Sequence, residues 1–99
     1  MSFQIYDKYV VVDYDFLCKI SLMKKELSRK IQIELGKKVK SYRLERNMSQ
    51  MDLALKTDTD IRQIQRVETG DIATSIALAY LISKALDISM NELFDFNII

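Results

Sequence analysis

From Ser21 to Arg46 an apolar residue returns every three or four positions: Met23, Leu27, Ile31, Leu35, Val39 and Tyr42, with Lys and Arg on the remaining faces. That period predicts an amphipathic helix. Gly36 falls inside it and costs about 1 kcal/mol against alanine, so the run reads as two helices or as one kinked helix. Asn47 is the expected stop, because asparagine tolerates the left-handed backbone that closes a helix. A different pattern precedes it. Residues 3–17, FQIYDKYVVVDYDFL, are rich in aromatic and β-branched side chains and predict an extended strand. The alternation breaks at Val10-Val11-Val12, as it would if both faces were covered. One strand is not stable alone, so it must pair with another segment or with a second copy of the chain. An alternative is that translation starts at Met23 and the first 22 residues are dispensable.

The stretch from Ser49 to Gly70, SQMDLALKTDTDIRQIQRVETG, predicts two short helices joined by a tight turn. Ser49 and Asp52 have the spacing of a capping box, in which the hydroxyl takes an orphan amide and the carboxylate reaches back. Leu53 and Ala54 form a narrow apolar stripe. Thr57-Asp58-Thr59-Asp60 then favours a turn, because these side chains bond to nearby backbone. Asp60 is the expected cap of the second helix, with Gln63 three positions on. Ile64 and Val67 face inward there, which leaves Arg62, Gln63, Gln65 and Arg66 pointing out. Arginine forks onto guanine edges and glutamine onto adenine, so this helix carries the strongest functional signal in the chain.

Beyond Gly70, Asp71–Thr74 reads as a connection. Thr74 or Ser75 caps a helix to about Leu86, with Ile76, Ala79, Tyr80, Ile82, Ser83 and Leu86 toward the core. Ser89 and Glu92 open a short helix holding Leu93 and Phe94. The ending, Asp95-Phe96-Asn97-Ile98-Ile99, is apolar, so Phe96, Ile98 and Ile99 are expected to pack on the N-terminal strand or on a partner subunit.

Composition narrows the chemistry. No proline and only two glycines, Gly36 and Gly70, favour helices over a sheet with many turns. The net charge is +1, but it is unevenly spread. Residues 19–46 hold ten Lys or Arg against three Glu, just before the two-helix stretch, where a polyanion would need them. The chain has no His, so the commonest general base and transition-metal ligand are missing. A lone Cys18 excludes an intrachain disulfide and is expected to be a small buried hydrophobe. Asp13/Asp15 and Asp58/Asp60 lack the glycine and distal glutamate of a calcium loop. Neither catalysis nor a metal, cofactor or small-molecule ligand is expected. With no membrane-spanning run and no secretion leader, the cytoplasm is the expected compartment.

Together, LGKKVKSYRLERNMSQMDLALKTDTDIRQIQRVETG and TSIALAYLISKALDISMNELF resemble the Cro/C1 (xenobiotic-response-element) helix-turn-helix family of bacterial and phage DNA-binding regulators. The Ser-Gln opening of one helix, the Glu-x-Gly ending of the next and the Ala-Leu-x-Ile-Ser-x-x-Glu-Leu-Phe close carry the resemblance, over residues 35–94. It implies an all-α, five-helix lambda-repressor-like bundle, residues 23–99, with residues 1–22 as an N-terminal extension. Its third helix would lie in the major groove of double-stranded DNA, usually as a homodimer. Carried onto this sequence, Gln50 would bond a phosphate and help orient the reading helix. Ile61, Arg62 and Arg66 would touch base edges, and Gln63 and Thr69 the backbone or bases. Arg43 and Glu68 match a pair that bridges the first and third helices, with the arginine near a phosphate. The chain departs from the family at Asp58, often glycine, at Ile61, often polar, and at Thr74, often proline. Asp71 and Ile72 stand where basic residues are frequent, which removes phosphate contacts unless Lys37, Lys38 and Lys40 supply them.

The expected function is therefore a sequence-specific transcriptional regulator that reads a near-palindromic operator as a dimer. The alternative is a module that holds a protein partner, such as a toxin, and binds DNA weakly. An antitoxin that represses its own promoter would do both.

Overall fold

The computed structural model describes residues 3–6, 9–12 and 14–98, with side chains at Lys19 and from Ser21 to Ile98. Helix α1 (Tyr14–Glu45) is a single rod of 32 residues. It begins seven residues before the expected start and passes through Gly36 without a break. Asn47, with φ of 54°, stands just beyond its end as anticipated. Four shorter helices follow: α2 (Gln50–Thr57), α3 (Ile61–Thr69), α4 (Ile76–Ala85) and α5 (Met90–Leu93). Ser49, Asp60, Ser75 and Ser89 are their N-caps.

The expected strand over residues 3–17 is replaced by a hairpin and the first turn of α1. Strands β1 (Phe3–Tyr6) and β2 (Tyr9–Val12) pair antiparallel with each other, Phe3 opposite Val12 and Tyr6 opposite Tyr9. The demand for a hydrogen-bonding partner is thus met within the segment itself. Helix starts at Tyr14, so Tyr14-Asp15-Phe16-Leu17 are helical and not extended. The surroundings expected for Val10–Val12 and Cys18, and the packing of Ile99, lie outside the described side chains.

The core forms where α2–α5 close over the C-terminal half of α1. Leu35 and Val39 of α1 meet Leu53, Ile64, Val67, Ile82, Leu86 and Leu93 there. None of the other four helices covers the preceding turns of α1, so the inward stripe read from the sequence is inward only from Ile31 onward. Met23 is 67% exposed and Leu27 45%. Among the described side chains, the C-terminal segment folds against the bundle and α1. Phe96 packs on the core, and Ile98 shares a shallow depression with Met23 and Leu27.

On α4 the buried stripe consists of Leu78, Ala79, Ile82 and Ser83, continued by Leu86. Ile76 and Tyr80 lie to one side of it, 83% and 50% exposed, contrary to their expected place in the core. Leu78, which the apolar pattern did not single out, is buried instead. Among the described residues no helix is long and apolar enough to cross a membrane.

Candidate nucleic-acid interface

The two-helix stretch is held rigid by local hydrogen bonds before any tertiary contact acts. Ser49 and Asp52 form the full capping box: Asp52 N–H donates to Ser49 Oγ at 3.0 Å, and Ser49 N–H to Asp52 Oδ2 at 2.9 Å. The bonds from Ser49, its backbone N–H first, hold the Asp52 carboxyl below the usual carboxylate range. Asp58 takes the left-handed conformation at φ 54°, which lets it close α2 where the family often has glycine. Buried Thr57 donates its hydroxyl to Leu53 O at 2.8 Å and stands 2.8 Å from the Thr59 hydroxyl, tying helix end to turn. Asp60 then accepts from Arg62 N–H at 3.0 Å and starts α3.

Tertiary contacts set the pitch of α3. Glu68 meets Arg43 fork to fork, with Nε to Oε2 at 2.7 Å and Nη2 to Oε1 at 3.1 Å. Their side chains are only 3% and 8% exposed, respectively. Arg43 Nη1 donates to Met48 O at 2.7 Å, and Gln50 Nε2 donates to Glu68 Oε1 at 3.1 Å. One carboxylate therefore joins α1, α2 and α3. Gln50 keeps a second amide hydrogen and its carbonyl for another partner.

Both glycines sit at the crossing of α1 and α3. A Cβ on Gly36 would lie 2.6 Å from Glu68 O, and closer still to Val67 O. Gly70 closes α3 at φ 79°, and a Cβ on it would lie 2.9 Å from Ile33 Cγ1. Ile64 and Val67 are buried beneath. With its inner side fixed in this way, α3 turns Arg62, Gln65, Arg66 and Thr69 to solvent. These four line one open depression of about 390 Å³, together with Asp71.

The structure does not bring together all the residues singled out in the sequence. Arg62, Arg66 and Thr69 share the depression, and Gln65, which periodicity turned outward but the family motif did not mark, joins them. Gln63 is half-buried and lines a separate hollow with Asp60 and Ser75. Ile61 packs against the core as a half-buried side chain.

The helix-turn-helix family model matches residues 39–93, from the middle of α1 to the end of α5. An uncharacterized HTH-type transcriptional regulator of Rickettsia conorii is 32% identical over 72 residues, which is 73% of this chain. The chain spans 58% of the length of that relative. Among solved structures, the restriction-modification controller protein C.AhdI from Aeromonas hydrophila superposes with a TM-score of 0.61 at 27% identity. That match covers 63% of this chain and 94% of C.AhdI. By the family match over residues 39–93, on the fold and capped two-helix unit described above, the chain belongs to the helix-turn-helix family, of the Cro/C1 type.

Proposed function

We propose that this protein is a sequence-specific double-stranded DNA-binding transcriptional regulator that acts in the cytoplasm and has no chemistry of its own. The observation that carries the reading is the face of α3. Two arginines, a glutamine and a threonine stand exposed together on a helix whose other side is locked by Glu68 and two glycine contacts. A reading helix needs both: donors that fork onto base edges, and a fixed angle of presentation. In this reading Arg62 and Arg66 contact bases, Gln65 and Thr69 bases or backbone, and Gln50 a phosphate with its remaining donor. Arg43 and Glu68 orient the helix. Ile61 and Gln63 stand at its entry, where Ile61 can offer a methyl only to thymine. Residues 23–99 form the DNA-binding domain and residues 1–22 an extension joined to it by α1.

The active species in this reading is a homodimer with reading helices about 34 Å apart on a near-palindromic operator. The half-exposed Leu27 and the neighbouring Met23 and Ile98 offer apolar surface for a second copy, with the hairpin and residues 95–99 contributing. The same surface favours the second reading, in which a protein partner docks there and DNA binding is weak.

Selection of bound sequences from a randomised duplex pool, then anisotropy titration of the enriched duplex, tests the first reading. An enriched palindrome supports it, and its half-site spacing gives the dimer geometry. No enrichment would overturn it in favour of the protein-partner reading. Sedimentation equilibrium at micromolar concentration tests the dimer, and a monomer there would reject it.

A further inference from the structure

Three cations of α1 stand beside the end of the reading helix, and among the described residues none of them is in an ion pair. Lys24, Lys25 and Arg29, with Ser28 and Gln32, line an open cleft of about 510 Å³ that is closed on its far side by Gly70 and Asp71. Lys25 and Arg29, four residues apart, share one face of the helix, and Lys24 lies at the edge of the same cleft. All three cations are exposed, and none forms an ion pair with a carboxylate among the described residues. Two lysines nearer the bundle are differently placed. Lys37 is paired with Glu34 at 3.4 Å, and the Lys38 ammonium lies 5.9 Å from the centre of the Tyr42 ring. Asp71 also lines the depression on the outer face of α3, so the cationic cleft and that depression are neighbours on either side of it.

We infer that this face of α1 is a second DNA-binding surface, which takes the phosphodiester backbone flanking the bases read by α3. The inference rests on the proposed DNA-reading function and adds a contact outside the matched family region. Unpaired lysine and arginine on an exposed helix displace counterions condensed on a polyanion, and that release favours binding whatever the sequence. The place of the cleft beside the α3 face, with Asp71 lining both, favours a duplex already held by α3 over an acidic protein. The surface also answers the substitution at residue 71. An aspartate there repels a phosphate beside the end of α3, and the attraction lost at the loop is supplied by α1.

The test uses the full chain and the variant Lys24→Ala/Lys25→Ala/Arg29→Ala, with Asp71→Asn as a second variant. Each is titrated by anisotropy against the selected duplex and a random-sequence duplex, at a series of salt concentrations. Alanine at three exposed helix positions keeps the helix, which far-UV circular dichroism verifies. The triple variant is expected to bind both duplexes about 10–100-fold more weakly at physiological salt, with the slope of log K against log salt reduced by about 2–3. Base preference should be unchanged. Asp71→Asn should bind both duplexes more tightly. Unchanged affinity and salt slope in the triple variant would overturn the inference and leave the reading role of α3 standing. If no sequence is enriched but random-duplex binding still needs the three cations, the α1 contact stands and the reading role falls. Binding to neither duplex at low salt would overturn both.

Discussion

Gly36 passes so close beneath the carbonyl of Val67 that no side chain fits between them. Helix propensity alone says that Gly36→Ala should stabilise α1 by about 0.5–1 kcal/mol. Here the atoms in the way are backbone, which cannot rotate aside as a flexible side chain does. Gly36→Ala should therefore destabilise the protein by about 1–3 kcal/mol, read by urea denaturation. A stabilised variant would show that the two helices are free to part.

Glu68 is buried with Arg43 and shares an oxygen with Gln50. Removing the carboxylate leaves a buried guanidinium without its counter-charge. Glu68→Ala should cost about 3–5 kcal/mol, whereas replacing both partners with apolar residues of similar volume should cost much less. A double-mutant cycle in denaturant measures the difference.

Ile76 and Leu78 lie two residues apart on α4 with opposite fates. Leu78→Ala should cost about 2–5 kcal/mol because it opens a cavity. Ile76→Ser should stay within about 0.5 kcal/mol of the parent. Thermal or chemical denaturation of the pair settles which residue holds α4 in place.

The Asp52 carboxyl is held below the usual carboxylate range by its bonds from Ser49. A depressed pKa means that the stabilisation is present above the unfolded value, about 4, and is lost as pH falls through the folded one. Asp52→Asn should therefore be less stable than the parent at neutral pH, with the gap closing below about pH 4. Denaturation midpoints across an acid series read the gap directly.

Arg62→Ala and Arg66→Ala should each cost about 1–3 kcal/mol in DNA affinity and relax the preference at one base pair. Selected sequence profiles for the two variants provide the check. Profiles identical to that of the parent would remove both residues from base reading.

Much of the bundle was legible because its signals are local. Ser49, Asp60 and Ser89 cap the helices they were expected to cap, and Ser75 rather than Thr74 caps the fourth, since a cap depends only on the next three residues. The two-helix unit followed from caps and spacing, and the Arg43–Glu68 pair from the family resemblance. What a linear pattern could not reveal was how far the other helices reach. Met23 and Leu27 continue the stripe of Leu35 and Val39, yet they stay 67% and 45% exposed beside Ile98, and Ile76 carries the same apolar label as Leu78. Gly36 looked like a break because propensity speaks only of its own helix, whereas its reason lies in α3. Residues 3–17 have the composition of a strand but not its continuity, and pairing within the segment was a third outcome that alternation could not choose.

The unbroken course of α1 has a mechanical consequence. A helix turns by about 100° and advances about 1.5 Å per residue, so every side chain along it keeps a common angular phase with the glycine contact that seats it on α3. One residue inserted between Arg29 and Ile33 would swing the preceding rod a little over a quarter-turn, about 100°, around its axis relative to the core helices. Seven inserted residues would bring it back to within about 20° of its first bearing, some 10 Å further out. In this protein the length of one helix serves as a dial, setting which way everything carried on its far end is aimed.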